Sequence, residues 1–82
     1  MARIRYYPPV SGLVGREEDA AEAANVRAVL AYIQKTYGRA AEKAAKSSLI
    51  VVNDVSIGLY QGFDTVLKAD NTVGFLPLCG GG

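Results

Sequence analysis

The sequence contains no histidine and only one cysteine, Cys79, among its 82 residues. Histidine is the commonest general base and the commonest metal ligand, so its absence argues against a zinc site and against most acid–base catalysis. A single cysteine cannot form an internal disulfide, so the chain lacks the pattern of a small secreted scaffold. The composition therefore favours a protein whose function requires neither a histidine side chain nor an internal disulfide.

An excess of charge of either sign is also missing. Lysine and arginine total 9 and aspartate and glutamate total 8, which gives a net charge of +1. This balance predicts neither a nucleic-acid-binding surface nor a polybasic membrane anchor. The first residues, MARIRYYPPV, lack the apolar stretch of a signal peptide, and no apolar run approaches the length of a membrane span. We therefore expect a cytoplasmic protein that binds neither nucleic acid nor membranes.

What the chain does contain is enough apolar surface for one core. Half of its residues, 50%, are hydrophobic, and its length lies above the size at which disulfides or metals are usually needed. Apolar and charged residues alternate near the start of the chain. This pattern predicts a strand with Ile4 and Tyr6 on one face and Arg3 and Arg5 on the other. The prolines and glycines of PPVSGLVG, residues 8–15, then indicate a loop.

One segment carries a clear helical pattern. Its apolar residues recur at helical spacing: Val26, Val29, Leu30, Ile33 and Tyr37. Asn25 is suited to cap the start of this helix, and Gly38 is suited to end it. Just before it, Glu18 to Ala23 is interpreted as a weak edge strand, with a helical extension as the alternative, because no large apolar residue is available there.

The second half alternates between short predicted elements. RAAEKAAK, residues 39–46, is a short helical or irregular segment, and the apolar run Leu49 to Val52 predicts a strand buried on both faces. Asn53-Asp54 indicates a turn before a short strand, and Thr72 to Pro77 forms the last strand. A helix that covers a small mixed sheet makes an α+β two-layer domain.

The chain ends on an unusual stretch, FLPLCGGG. A glycine tail buries no side chain and loses more backbone freedom on ordering than any other sequence, so it does not help a core. It is, however, thin enough to carry a terminal carboxylate into a narrow channel of another protein. The tail is therefore either an inert end or the functional group itself.

These features together resemble the ubiquitin-like sulfur carriers of the MoaD/ThiS family. The resemblance rests on ANVRAVL (residues 24–30) at the entry into the helix, the Asn53-Asp54 turn, DTVL at residues 64–67, ADNTVGFLP at residues 69–77, and a terminal Gly-Gly at the family spacing from Phe75. The sequence departs from the family's usual pattern at three positions. Leu78 stands where the family has a second proline, Asp54 stands where it has a glycine, and Gly80 extends the terminal glycine pair to three. The segment 38–48 lengthens the chain relative to thiazole-pathway carriers and favours the molybdopterin synthase small subunit.

The resemblance implies a β-grasp fold, with a domain at residues 1–77 and a flexible tail at residues 78–82. It implies that an activating enzyme uses ATP to adenylate Gly82, that Gly80 and Gly81 belong to the tail, and that Gly82 then carries sulfur as a thiocarboxylate. The chain itself would be non-catalytic and would bind no cofactor. Its partners would be the activating enzyme and a sulfur-accepting enzyme such as the molybdopterin synthase large subunit.

The resemblance also suggests which side chains dock on the partner. Phe75 would contribute to an apolar docking patch, joined by Tyr6, Leu59 and Pro77, although an aromatic residue on a strand is also an ordinary core residue. Several alternatives remain open from the sequence alone. The chain could serve thiamine, cysteine or tungsten-cofactor pathways, could be a ubiquitin-like modifier conjugated through Gly82, or could be a binding module whose tail is inert.

Overall fold

A five-stranded mixed sheet forms one layer of the molecule, and the helices pack on one of its faces. The structure is a computed structural model, and it describes residues 1–78. The strands are β1 (Ala2–Tyr6), β2 (Glu18–Ala21), β3 (Leu49–Val52), β4 (Val55–Ser56) and β5 (Thr72–Leu76). The helices are α1 (Val10–Val14), α2 (Val26–Tyr37) and α3 (Arg39–Lys46), with short 3₁₀ helices at Ile57–Leu59 and Gly62–Asp64.

The last strand of the chain lies in the middle of the sheet. The strand order is β2-β1-β5-β3-β4. β5 pairs in parallel with β1 and antiparallel with β3, whereas β1–β2 and β3–β4 are antiparallel. This arrangement confirms the α+β two-layer domain expected from the sequence. It also means that the chain leaves the sheet from its centre.

Helix α2 follows the predicted stripe. Val26, Val29, Leu30 and Ile33 are all buried against the sheet. The Asn25 side chain accepts a hydrogen bond from the backbone N–H of Ala28 at 2.8 Å, which satisfies one of the free donors at the helix start. At the other end, Gly38 has φ 100°, a conformation that favours glycine. The cap residues expected from the sequence are confirmed.

Two further helices, α1 and α3, complete the helical layer. α3 buries only its alanines Ala41 and Ala45, whose small side chains let this helix lie close to its neighbours. α1 falls inside the segment that the sequence predicted as a loop, and that prediction is wrong. Its Val10 and Val14 are both buried, so the core stabilises one helical turn in a stretch whose prolines and glycines disfavour it.

Strand β3 corrects a second expectation. A strand buried on both faces was predicted, but burial alternates: Ile50 and Val52 are in the core, whereas Leu49 is 38% exposed and Val51 is half-buried. The reason is that helices cover only one face of the sheet. The apolar side chains on the other face remain accessible.

The weak edge strand β2 is confirmed, and a polar cluster holds it in place. The Tyr6 hydroxyl donates a hydrogen bond to Oδ2 of Asp19 at 3.2 Å, and the Tyr37 hydroxyl donates to the same oxygen. Arg16 forms an ion pair with the other carboxylate oxygen at 3.3 Å. These contacts connect the edge strand to β1 and to the end of α2, so an alanine-rich segment with little apolar surface is ordered.

The pKa values in this cluster shift in opposite directions: that of the Asp19 carboxyl group is lowered, and those of the tyrosine hydroxyls are raised. Burial alone would raise the pKa of Asp19, but the hydroxyls of Tyr37 and Tyr32 and the charge of Arg16 outweigh it, so this pKa lies below its usual value. Burial, together with the nearby Asp19 carboxylate, raises the pKa of Tyr32 to about 12 and raises that of Tyr6 still further. At neutral pH the Asp19 carboxylate is therefore charged, and the hydroxyl groups of Tyr6 and Tyr32 are protonated.

Candidate functional site

The strand that leads to the C-terminus is held firmly up to its last residues. Val73 and Phe75 of β5 are fully buried, and the Tyr7 N–H donates a hydrogen bond to the Phe75 carbonyl at 3.2 Å. Beyond the strand, Pro77 is exposed and Leu78 is 64% exposed. The site residues predicted at Gly80, Gly81 and Gly82, and the cysteine Cys79, lie outside the described residues. The structure therefore gives the position from which the tail departs.

Two of the predicted docking residues are in the core. Phe75 has 0% and Tyr6 has 3% of its surface exposed. Their rings stack with centroids 6.2 Å apart and an interplanar angle of 18°. They occupy paired positions on β5 and β1 and both face the helices. The expectation that these side chains contribute to an exposed docking patch is wrong, because the helices cover the face of the sheet on which they lie.

Other apolar side chains are accessible after β4. Leu59 is 80% exposed, Tyr60 is 50% exposed and Val66 is 68% exposed. Tyr60 and Val66, together with several polar residues, line an open groove of about 650 Å³. Accessible apolar residues of this kind are typical of protein-binding surfaces. A role for Leu59 and Pro77 in docking stays a prediction.

Backbone contacts fix the segment that carries these side chains. The Val26 N–H donates to the Thr65 carbonyl at 3.1 Å, and the Leu67 N–H donates to the Ala24 carbonyl at 2.9 Å. The buried Thr65 hydroxyl donates to the Gly62 carbonyl at 2.6 Å. The segment is therefore irregular but anchored to the start of α2, so its exposed side chains have defined positions.

The acidic residues of the described chain do not converge. Asp64 pairs with Arg27 at 3.0 Å, and Asp54 lies in the turn between β3 and β4 with φ 69°. Within residues 1–78, no group of three or more cysteine, aspartate, glutamate or histidine residues is placed to hold a metal ion. No helix in the same range is long and apolar enough to cross a membrane.

The outer face of the sheet carries features that the sequence analysis only partly identified. Arg3 and Arg5 lie on this face and are exposed, as predicted. Gly74 lies in the middle of β5, between β1 and β3, and is buried; the sequence did not single it out. A glycine inside an otherwise regular strand is a signal that could have drawn attention to this position.

Comparisons with known proteins agree with this architecture. A model of the ThiS family matches residues 4–82. No curated protein sequence matches the chain. Among solved structures, the small archaeal modifier protein 1 (SAMP1) from Methanosarcina acetivorans is similar with a TM-score of 0.84 at 22% identity, over 99% of this chain and 95% of that one.

Two complexes contain similar chains. A chain of the Amycolatopsis orientalis BexX/CysO complex has a TM-score of 0.84 at 17% identity and covers 100% of both chains. A chain of the complex of subunits 1 and 2 of the molybdopterin-converting factor from Helicobacter pylori has a TM-score of 0.68 at 22% identity, over 99% of this chain and 97% of that one. These similarities confirm the ubiquitin-like β-grasp fold. Since the family model spans nearly the whole sequence, the chain belongs to the ThiS family of ubiquitin-like sulfur carriers.

Proposed function

We propose that this protein carries sulfur as a thiocarboxylate on Gly82 and supplies it to molybdopterin biosynthesis. The observation that carries the proposal is the family match that extends to Gly82, where the sequence ends in three consecutive glycines. Glycine adds no side-chain width and allows any backbone conformation, so the tail suits a narrow enzyme channel. The folded body would provide recognition and the tail would provide the reacting group.

The proposed chemistry takes place on two other enzymes. An activating enzyme transfers AMP from ATP to the Gly82 carboxylate and releases pyrophosphate. A sulfide-level nucleophile then displaces AMP from the acyl-adenylate and leaves a thiocarboxylate. The thiocarboxylate sulfur attacks the acceptor, and water cleaves the carbon–sulfur bond of the resulting thioester, so that the sulfur stays on the acceptor and the Gly82 carboxylate is regenerated. In this scheme ATP binds to the activating enzyme, and the carrier acts as its non-catalytic substrate.

Two observations support the molybdopterin pathway. The similar Helicobacter pylori chain is found in a complex of subunits 1 and 2 of a molybdopterin-converting factor, which supports an enzyme partner of this kind. The segment that lengthens the chain relative to thiazole-pathway carriers forms an ordered helix, α3, whose Ala41 and Ala45 belong to the core. The added length is thus part of the folded body.

The proposal is tested by intact-mass spectrometry. The purified protein is incubated with its cognate activating enzyme, ATP and a sulfur donor, and we expect the mass increase for replacement of one oxygen by sulfur at the C-terminus. A variant lacking Gly81 and Gly82 loses about 7 Å of reach and should remain unmodified while its circular dichroism is unchanged. An unmodified wild-type protein in the presence of an active enzyme would contradict the proposal.

A second candidate function is protein modification. It is favoured by the similarity to SAMP1, a modifier protein, with a TM-score of 0.84. In that case Gly82 would form an isopeptide bond with lysines of other proteins. Protease digests of cells that express the protein would then contain peptides whose lysines carry a remnant of its C-terminus, whereas a pure sulfur carrier would leave none.

A further inference from the structure

The open groove of about 650 Å³ lies at the end of the sheet opposite to the tail. The residues that define it, named here the Lys68 groove, include Asn53, Tyr60, Gln61, Val66, Lys68 and Asn71. Asn53 follows the end of β3 and Asn71 comes directly before β5, whereas the tail follows the far end of β5. The five residues of this strand place the groove about 13 Å from the start of the tail. The groove and the tail are therefore separate features of the molecule.

Two asparagine side chains in this groove have hydrogen-bond donors to spare. The Thr72 N–H donates to Oδ1 of Asn53 at 3.0 Å, and the Lys68 N–H donates to Oδ1 of Asn71 at 2.8 Å. Because a backbone N–H only donates, the atom that it meets in each carboxamide is the oxygen, and the NH₂ group is directed elsewhere. Neither NH₂ group forms a hydrogen bond with another residue of the range 1–78. Both are available to an acceptor on a ligand.

Lys68 adds a positive charge to these donors. Its side chain is exposed and forms no ion pair with any other residue of the described chain. Asp54 and Asp70 are neighbours of the two asparagines in the sequence, but neither carboxylate lines the groove. A cation beside two free NH₂ groups favours an anionic group that accepts hydrogen bonds, such as a carboxylate.

The apolar part of the groove favours a protein segment over a small anion. Val66 is 68% exposed and Tyr60 is 50% exposed, and Leu59, next to Tyr60 in the chain, is 80% exposed. The backbone bridge between Val66 and Asn25 fixes this wall relative to the start of α2. Small ligands usually bury most of their surface in a closed pocket, which an open groove does not provide. A protein segment gains contact area from the apolar residues around the groove as well.

We propose that the Lys68 groove binds an acidic segment of a partner protein, with a carboxylate beside Lys68 and Asn71 and an apolar side chain against Val66 and Tyr60. The carboxylate accepts hydrogen bonds from the ammonium group and from the free NH₂ group. Since the groove lies at the end of the sheet away from the tail, this partner leaves the tail accessible to another enzyme. The inference goes beyond the carrier function and does not depend on the chemistry at Gly82.

The probe for this site is the peptide acetyl-Leu-Gly-Glu-Gly-Leu-amide, whose leucine and glutamate side chains share one face when the peptide is extended. It is titrated into the isotope-labelled full-length protein, and the backbone amides are followed by NMR spectroscopy. We expect saturable shifts concentrated at the groove, among them those of Gln61, Val66 and Lys68. A peptide with glutamine in place of glutamate should bind about fivefold more weakly.

Two variants and a matched control locate the binding energy. Lys68→Gln removes the cation and should weaken binding of the glutamate peptide about fivefold, and Val66→Ser removes apolar surface and should weaken it by a similar factor. Lys43→Gln removes the same charge from an exposed position of α3 that does not line the groove, and it should stay within about twofold of the wild type. Thermal unfolding confirms that each variant is folded.

Several results would overturn the proposal. It fails if the wild type shows no saturable shifts, if Lys68→Gln and Lys43→Gln bind the peptide equally well, or if the glutamine peptide binds as tightly as the glutamate peptide. Sodium acetate and inorganic phosphate distinguish the source of the anion: if either produces the same shifts at the concentrations that the peptide requires, the groove takes a small anion and not a protein segment. A chain that lacks Gly81 and Gly82 should bind the peptide as the wild type does, whether or not the wild type forms a thiocarboxylate. Loss of binding in that chain would make the tail part of the site and contradict the proposal.

Discussion

Replacing Phe75 with alanine tests whether this residue acts in the core or at the surface. Its side chain is 0% exposed, stacks on Tyr6 at 6.2 Å and lies beside Ile50 on the neighbouring strand. Removing a buried phenylalanine side chain costs about 3–5 kcal/mol, because the lost contacts leave a cavity. We therefore expect Phe75→Ala to lower the free energy of unfolding by this amount.

This loss is large for a domain of this size. At the usual stability per residue, a chain of 82 residues has an unfolding free energy of roughly 4–12 kcal/mol. Each kcal/mol shifts the midpoint of thermal unfolding by about 4–8 °C in such a small domain, so the variant should melt at least 12 °C lower, by this rough conversion. Phe75→Leu retains part of the apolar contact and should lie between the wild type and Phe75→Ala.

Urea unfolding followed by circular dichroism measures these differences, and Leu59→Ala provides a matched surface control. Leu59 is 80% exposed, so its truncation should change stability by no more than about 0.5 kcal/mol. If Phe75→Ala also changes stability by less than about 1 kcal/mol while it weakens binding to the partner enzyme, Phe75 is a docking residue, and the assignment to the core is refuted.

Three further results are expected. Leu30→Ala, at a helix position that is 2% exposed, should cost about 2–5 kcal/mol in urea unfolding, and a clearly smaller loss would contradict its burial. The lowered pKa of Asp19 means that its stabilising contribution is complete above its unfolded pKa of about 3.9 and is lost as the pH falls below it. Asp19→Asn should therefore destabilise the protein at pH 7 and differ less from the wild type in acid unfolding. The pKa of Tyr32, raised to about 12, means that its contribution is present below pH 10 and is lost at higher pH; Tyr32→Phe should reduce this alkaline loss.

The elements with strong local signals could be predicted from the sequence. Helix α2 combines a full apolar stripe with suitable cap residues at both ends. In β1, apolar residues such as Ile4 alternate with charged residues such as Arg5. The Asn53-Asp54 turn also follows from local chemistry, since both residues adopt positive φ, which asparagine and aspartate tolerate better than most residues. In each case the decisive interaction is within a few residues along the chain.

The parts that could not be predicted depend on contacts between distant segments. No local pattern reveals that helices cover only the face that carries Phe75, so its burial and the exposure of Leu49 follow only from the packed layers. Helix α1 forms because Val10 and Val14 reach the core, although two prolines precede it and Gly12 lies within it. The cluster around Asp19 joins β2 to the end of α2, a pairing that no sequence spacing indicates.

The central strand β5 shows how one short segment both fills the core and fixes the point at which the tail begins. Side chains alternate between the two faces of a strand, so Val73 and Phe75 fill the core while Thr72, Gly74 and Leu76 lie on the outer face. Pairing on both sides with β1 and β3 fixes that outer face relative to the point where the tail begins. Substitutions of Val73 and Phe75, which face the helices, should therefore lower stability more than substitutions of Thr72 and Leu76 on the outer face.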